Sequence, residues 1–131
     1  MKFKTTWLIL LILSFSFMVM GCPMFQKAKT DPLVSVTTSY QILGESITST
    51  HKLATELRAV KKIDDIQMVK YNELLFKVQS AYSVLGSTLV MVIVTTDSVK
   101  QKEYRIAFEQ LSGKISGLIT EMNLFISEVK K

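Results

Sequence analysis

The chain has little of what most small-protein chemistry requires. Among 131 residues there is one cysteine, Cys22, and one histidine, His51. A lone cysteine excludes an intramolecular disulfide. A lone histidine leaves almost no material for a His-based metal site or a Ser-His-Asp triad, and His51 reads as a solvated helix residue. The five glycines form no phosphate-cradling loop. Aromatic residues make up 9% of the chain, and the formal charge of +5 falls to +3 once Lys2 and Lys4 are set aside as part of a leader. So mild an excess is too small to indicate nucleic acid, which is not expected as a partner, and suits weak attraction to anionic headgroups. Asp64 and Asp65 stand where a helix begins and read as capping residues rather than as a catalytic pair. The remaining acids, such as Glu45, Glu56, Glu103 and Glu121, fall on polar helix faces. The residues therefore point away from an enzyme, and no soluble cofactor or metal is expected.

What is present begins at the N-terminus. Lys2 and Lys4 form a positive start, and Trp7 to Met20 is uncharged and mainly apolar. About 14 residues is too short for an ordinary transmembrane helix and matches the core of a secretory signal. Val19-Met20-Gly21-Cys22 follows. This run resembles the lipobox of bacterial lipoproteins, with an aliphatic residue three places before the cysteine and a small residue just before it. Val19, Gly21 and Cys22 fit, whereas Met20 is larger than usual at its place. The resemblance covers the first 22 residues alone. It implies cleavage between Gly21 and Cys22 and a diacylglycerol with further acyl chains on Cys22. It also implies a membrane-anchored product facing the periplasm or the cell exterior. Pro23 stands where an aspartate often marks inner-membrane retention, which favours the outer membrane in a Gram-negative host. Two or three acyl chains on one residue make attachment effectively permanent, which one chain alone does not.

The expected organisation is a signal helix at 1–21, a tether at 22–30 and a helical domain at 31–131. Asp31-Pro32 reads as an N-cap and first helical residue. Leu33, Val36, Tyr40, Leu43, Ile47, Thr50, Ala54 and Leu57 then recur in steps of three and four, predicting a helix that ends near Lys62. Residues 35–50 are rich in serine and threonine, which compete for backbone hydrogen bonds and weaken this helix. A second start is marked by Asp64 with Gln67 in a capping box and Ile63 with Met68 as a hydrophobic staple. Its seam is Met68, Tyr71, Leu75, Val78, Tyr82, Leu85, Leu89 and Val92. A third helix is expected from Asp97 or Ser98, with Ser98 and Gln101 as a further capping box. Its seam is Tyr104, Phe108, Leu111, Ile115, Leu118, Met122, Phe125 and Val129. The tyrosines in these seams read as core. Three helices of about 30 residues joined by short connections predict an all-α, antiparallel up-down-up bundle roughly 45 Å long.

Between Lys77 and Asp97 the sequence carries no charge, and Leu89 to Val94 reads LVMVIV. The unbroken three-four spacing favours a helix buried on more than one face, inside the bundle or against a second copy. A β-strand or a membrane-inserting segment are the alternatives. Gly86, Gly113 and Gly117 offer places for close helix approach. The functional expectation is a non-enzymatic envelope lipoprotein working by contact with an envelope protein or by self-association. The alternative is a membrane-active protein of lysis or pore type that inserts residues 78–96. At the level of layout alone, the chain is similar to small helical lipoproteins of bacteria and their prophages.

Overall fold

The structure, a computed structural model, describes residues 31–131. The expected signal segment 1–21 and tether 22–30, with Gly21 and Cys22, lie outside the described residues. The described chain is an all-α three-helix bundle: α1 spans Pro32–Ala59, α2 Asp65–Val94 and α3 Ser98–Val129.

In α1 the Asp31 carboxylate accepts from the Leu33 N–H at 3.0 Å, and Pro32 takes the first helical position. Hydroxyls of this helix, three of them within the 35–50 stretch, donate to backbone carbonyls one turn back. Thr37 bonds the carbonyl of Leu33, Ser46 that of Ile42, Thr48 that of Gly44 and Thr55 that of His51, at 2.8–2.9 Å. The helix stops at Ala59 rather than near Lys62, because Lys61 turns the backbone to φ 56°. With the chain so turned, Lys62 N–H reaches the carbonyl of Leu57 at 2.9 Å and Lys61 N–H that of Arg58 at 3.0 Å. This pair of bonds is a Schellman motif, with lysine where glycine is the usual residue.

The second helix begins as the sequence indicates. Asp64 accepts from Gln67 N–H at 2.7 Å, and the Gln67 side chain accepts from Asp64 N–H at 3.0 Å. Ile63, just before the cap, is buried, and Met68 packs against the same core. Arg58 braces the connection: it donates to the Ile63 carbonyl at 3.0 Å and pairs with Asp65. The pair is largely exposed, so its contribution is at most about 1 kcal/mol. The expected Ser98–Gln101 box does not form. Asp97 is the cap, accepting from Val99 and Lys100 N–H, while Gln101 donates to the carbonyls of Val92 and Thr95. Gln101 thus closes the end of α2, whose terminal carbonyls lack intrahelical partners.

The helices run antiparallel in sequence order. Thr50 of α1 bonds Asn123 of α3 at 3.3 Å, and His51 of α1 lies against Tyr71 of α2, whose ring also meets Phe125 of α3. The core follows the expected seams, with Tyr71, Val78, Leu85, Val92, Phe108, Ile115 and Met122 essentially inaccessible. Ile119 and Ile126 are buried as well, because α3 packs on both other helices and buries a wider arc than one seam. Tyr40, Tyr82 and Tyr104 are half-buried rather than fully core.

At the middle of the α1–α2 contact the segments Tyr40-Gln-Ile-Leu-Gly44 and Tyr82-Ser-Val-Leu-Gly86 meet head to tail. The two rings stack with centroids 4.4 Å apart and 7° between planes. The hydroxyl end of Tyr40 lies over Gly86 and that of Tyr82 over Gly44. Tyr82 also donates to the Tyr40 carbonyl at 3.0 Å. That carbonyl is the helical acceptor for Gly44 N–H, so a bare Gly44 leaves room for the phenol to share it. Gly86 therefore does permit close approach. Gly113 and Gly117 do not, since an added Cβ at either has nothing within 4 Å.

Candidate interaction surface

Opposite its buried seam, α2 carries a second series in steps of three and four: Ile66, Val69, Glu73, Phe76, Ser80, Ser83, Ser87, Val90 and Val94. All nine are exposed. Phe76 is 70% exposed and Val94 61%. Glu73 is the one charge in this series, and after Lys77 the helix carries none. A solvent-facing helix stripe is ordinarily charged or polar, whereas five of these nine residues are apolar. The Leu89–Val94 stretch is accordingly corrected. It is helical, not a strand, and within this chain it is buried on one face. Leu89 and Val92 point inward, whereas Val90, Met91, Ile93 and Val94 are 40–61% exposed. The charge-free stretch is apolar on its buried face, while its outer face is serine at 80, 83 and 87 and becomes apolar at Val90 and Val94.

The outer face of α2 continues into a groove of about 540 Å³ against α3. Phe76, Ala81, Val84, Leu111 and Leu118 give it an apolar lining, and Lys77 and Lys114 are its two charged residues. Both charges are positive. Ammonium groups on flexible stems beside apolar walls suit an apolar ligand surface edged with carboxylates.

Two phenols are displaced from the ordinary tyrosine value. Burial pushes Tyr71 up to about 12. Burial, then the hydrogen bond and the proximity of Tyr40, push Tyr82 to about 12 as well. Removing a phenolate from water is unfavourable, so both phenols stay neutral at any physiological pH. His51 is exposed on α1, as expected, but its ring lies parallel to Tyr71 at 6.1 Å, with Nδ1 3.4 Å from the phenol oxygen. Asp64 is a cap and Asp65 an ion-pair partner, and both are spent on the α1–α2 connection.

Comparison with known protein families, with curated proteins and with solved structures found no match to this chain. The reading of its role therefore rests on the residues and on this surface.

Proposed function

We propose that the protein is a lipid-anchored envelope lipoprotein without enzymatic activity, which works by holding the α2–α3 groove close to a membrane where a partner protein docks. The anchor is carried by Val19-Met20-Gly21-Cys22, in which the only cysteine of the chain takes the position of the acylated residue. The docking role is supported by the exposed apolar residues on α2. The favoured partner is an apolar helix bordered by acidic residues, laid into the groove. Self-association by the same groove would bring Lys77 and Lys114 of two copies together, which disfavours it. The mature protein would face the periplasm or the cell exterior, on the outer membrane in a Gram-negative host.

The anchor is tested by the mass of the mature N-terminal peptide and by fractionation. A diacylglyceryl-modified Cys22 at the N-terminus supports the proposal, and a Cys22→Ser protein that stays fully membrane-bound removes it. Docking is tested with a photo-crosslinking residue at Ser80 in intact cells, with Glu109 on α3 as control. A discrete heterologous adduct at Ser80, lost in Lys77→Glu/Lys114→Glu, supports the groove; equal labelling at both positions, or none, rules it out.

A second reading is favoured by one observation. Within α2 an 18-residue window has a mean hydropathy of 1.4, and 22% of that window is buried. By length and composition this helix passes as a membrane span, so residues 78–96 leaving the bundle to insert is the competing function. Gln79, Ser80, Ser83, Ser87 and Thr88 make that insertion unfavourable. Dye release from liposomes at micromolar protein would establish it, and intact liposomes would dismiss it.

A further inference from the structure

Exposed apolar side chains are not spread evenly along the bundle. Val34 at the start of α1, Val90, Met91, Ile93 and Val94 at the close of α2, and Val99 at the start of α3 are 40–67% exposed. The antiparallel order brings these three helix ends to one end of the bundle. Leu33, Val34, Thr37 and Thr38 of α1 border a recess of about 330 Å³ together with Ile93 of α2. The opposite end differs. There Val60, Ile66, Val69 and Leu124 are interspersed with Lys61, Lys62, Asp64, Asp65, Lys70, Glu128, Lys130 and Lys131. The apolar end is also the end at which the chain enters from residue 30. Residues 22–30 can span at most about 30 Å. An acyl group on Cys22 would therefore hold this end, of the two, within that distance of the bilayer. Contact with lipid then becomes an intramolecular event at high effective concentration.

The geometry points to the Val90–Val99 end of the closed bundle as a second membrane contact, which rests in the interface of the bilayer that holds the anchor. This rests on the lipid-anchor reading above. Asp31 and Asp97 lie at the same end, but each caps a helix N-terminus, where the positive end of the dipole offsets its charge, and over the next two turns of α3 Lys100 and Lys102 outnumber Glu103. The bundle stays folded: Val92 and Leu89 keep their places in the core, and the outward side chains alone enter the interface. Two signals, acyl chains and an apolar end, would fix orientation as well as attachment, presenting the α2–α3 groove at a set height.

The test uses the lipidated chain as processed to Cys22, which carries no tryptophan because Trp7, the only one in the sequence, leaves with the signal segment. Single reporters are placed by Val94→Trp at the apolar end and Val60→Trp at the other. The protein is reconstituted in phosphatidylethanolamine–phosphatidylglycerol vesicles whose acyl chains are brominated near the headgroups. The Val94→Trp emission should be quenched at least about twofold more than in unbrominated vesicles, and the Val60→Trp emission should not change. Equal quenching at the two positions, or none at Val94→Trp, overturns the contact while leaving the anchor intact. Vesicle flotation of Cys22→Ser equal to that of the parent overturns the anchor, and the inference falls with it. Release of an entrapped dye alongside quenching also overturns it, because a helix crossing the bilayer would then be the cause.

Discussion

Replacing Gly44 with alanine should destabilise the bundle, against the sign that helix propensity alone gives. In an open helix position alanine is favoured over glycine by about 1 kcal/mol. At Gly44, however, the new methyl would collide with the Tyr82 hydroxyl and come within 3.1 Å of its ring carbon. The ring cannot swing aside freely, because it is stacked on Tyr40 and its hydroxyl is bonded to the Tyr40 carbonyl. Displacing it forfeits a stack of about 0.5–1.5 kcal/mol and a hydrogen bond of similar size. Subtracting the propensity gain leaves a net loss of about 1 kcal/mol, or roughly 4–8 °C in Tm for a domain of this size. Gly86→Ala should show a smaller loss, since its methyl meets the Tyr40 hydroxyl at 2.9 Å and the ring carbon at 3.5 Å. Gly113→Ala and Gly117→Ala, with open space around them, should each stabilise by about 1 kcal/mol. Urea unfolding followed by circular dichroism measures all four. Combining Gly44→Ala with Tyr82→Phe removes the colliding oxygen, and the cycle should give a coupling of about 1 kcal/mol. If Gly44→Ala raises the urea midpoint as Gly113→Ala does, the packing argument for these tyrosines is wrong.

The same unfolding assay checks three further expectations. Lys61→Gly should stabilise by about 1 kcal/mol, because a side chain is strained at φ 56° and glycine is not. Asp64→Ala should destabilise by about 1 kcal/mol through loss of the capping box, whereas Ser98→Ala should leave the midpoint within about 0.5 kcal/mol, because Asp97 holds the cap of α3. Tyr71 has a folded-state pKa of about 12 against a reference of 10.0, so its contribution is complete below pH 10 and is lost as pH rises from 10 to 12. The midpoint of Tyr71→Phe should fall less steeply over that range than that of the parent, and parallel slopes would contradict the assignment.

Where a feature depended on residues within one helical turn, the sequence made it legible. The Asp64–Gln67 box and the position of Ile63 before it are of that kind. The seams of α2 and α3 were legible for the same reason, since a three-four spacing is a property of one helix. Features set by a neighbouring helix were less so. Gln101 has the spacing of a capping residue, yet the turn at 95–97 brings it to the carbonyls of Val92 and Thr95. Ile119 and Ile126 lie outside the seam read for α3, because contact with two helices buries a broader arc. Of the glycines singled out in the sequence, Gly86 makes a close approach and Gly113 and Gly117 do not, while Gly44, not singled out, makes the other; only the packing of α1 on α2 decides which side of a helix is crowded. The outer series on α2 was present as a second three-four pattern. Its exposure was not, since an apolar face reads alike whether a helix of the same chain covers it or not. Cys22 is a feature of the sequence alone, and its acylation is the part of the reading that chemistry on the purified protein must supply.

The crossed pair Tyr40–Gly86 and Tyr82–Gly44 acts as a dowel between two rods. Slide α1 along α2 by a single turn and each phenol meets a side chain instead of a bare backbone, so the two helices have one register. Any lengthening of α1 between Gly44 and its C-terminus therefore demands an equal lengthening of α2 between its N-terminus and Tyr82. In homologues, insertions on this side of the tyrosines should come in matched pairs of whole heptads. Unmatched ones should gather in the connection at residues 60–63.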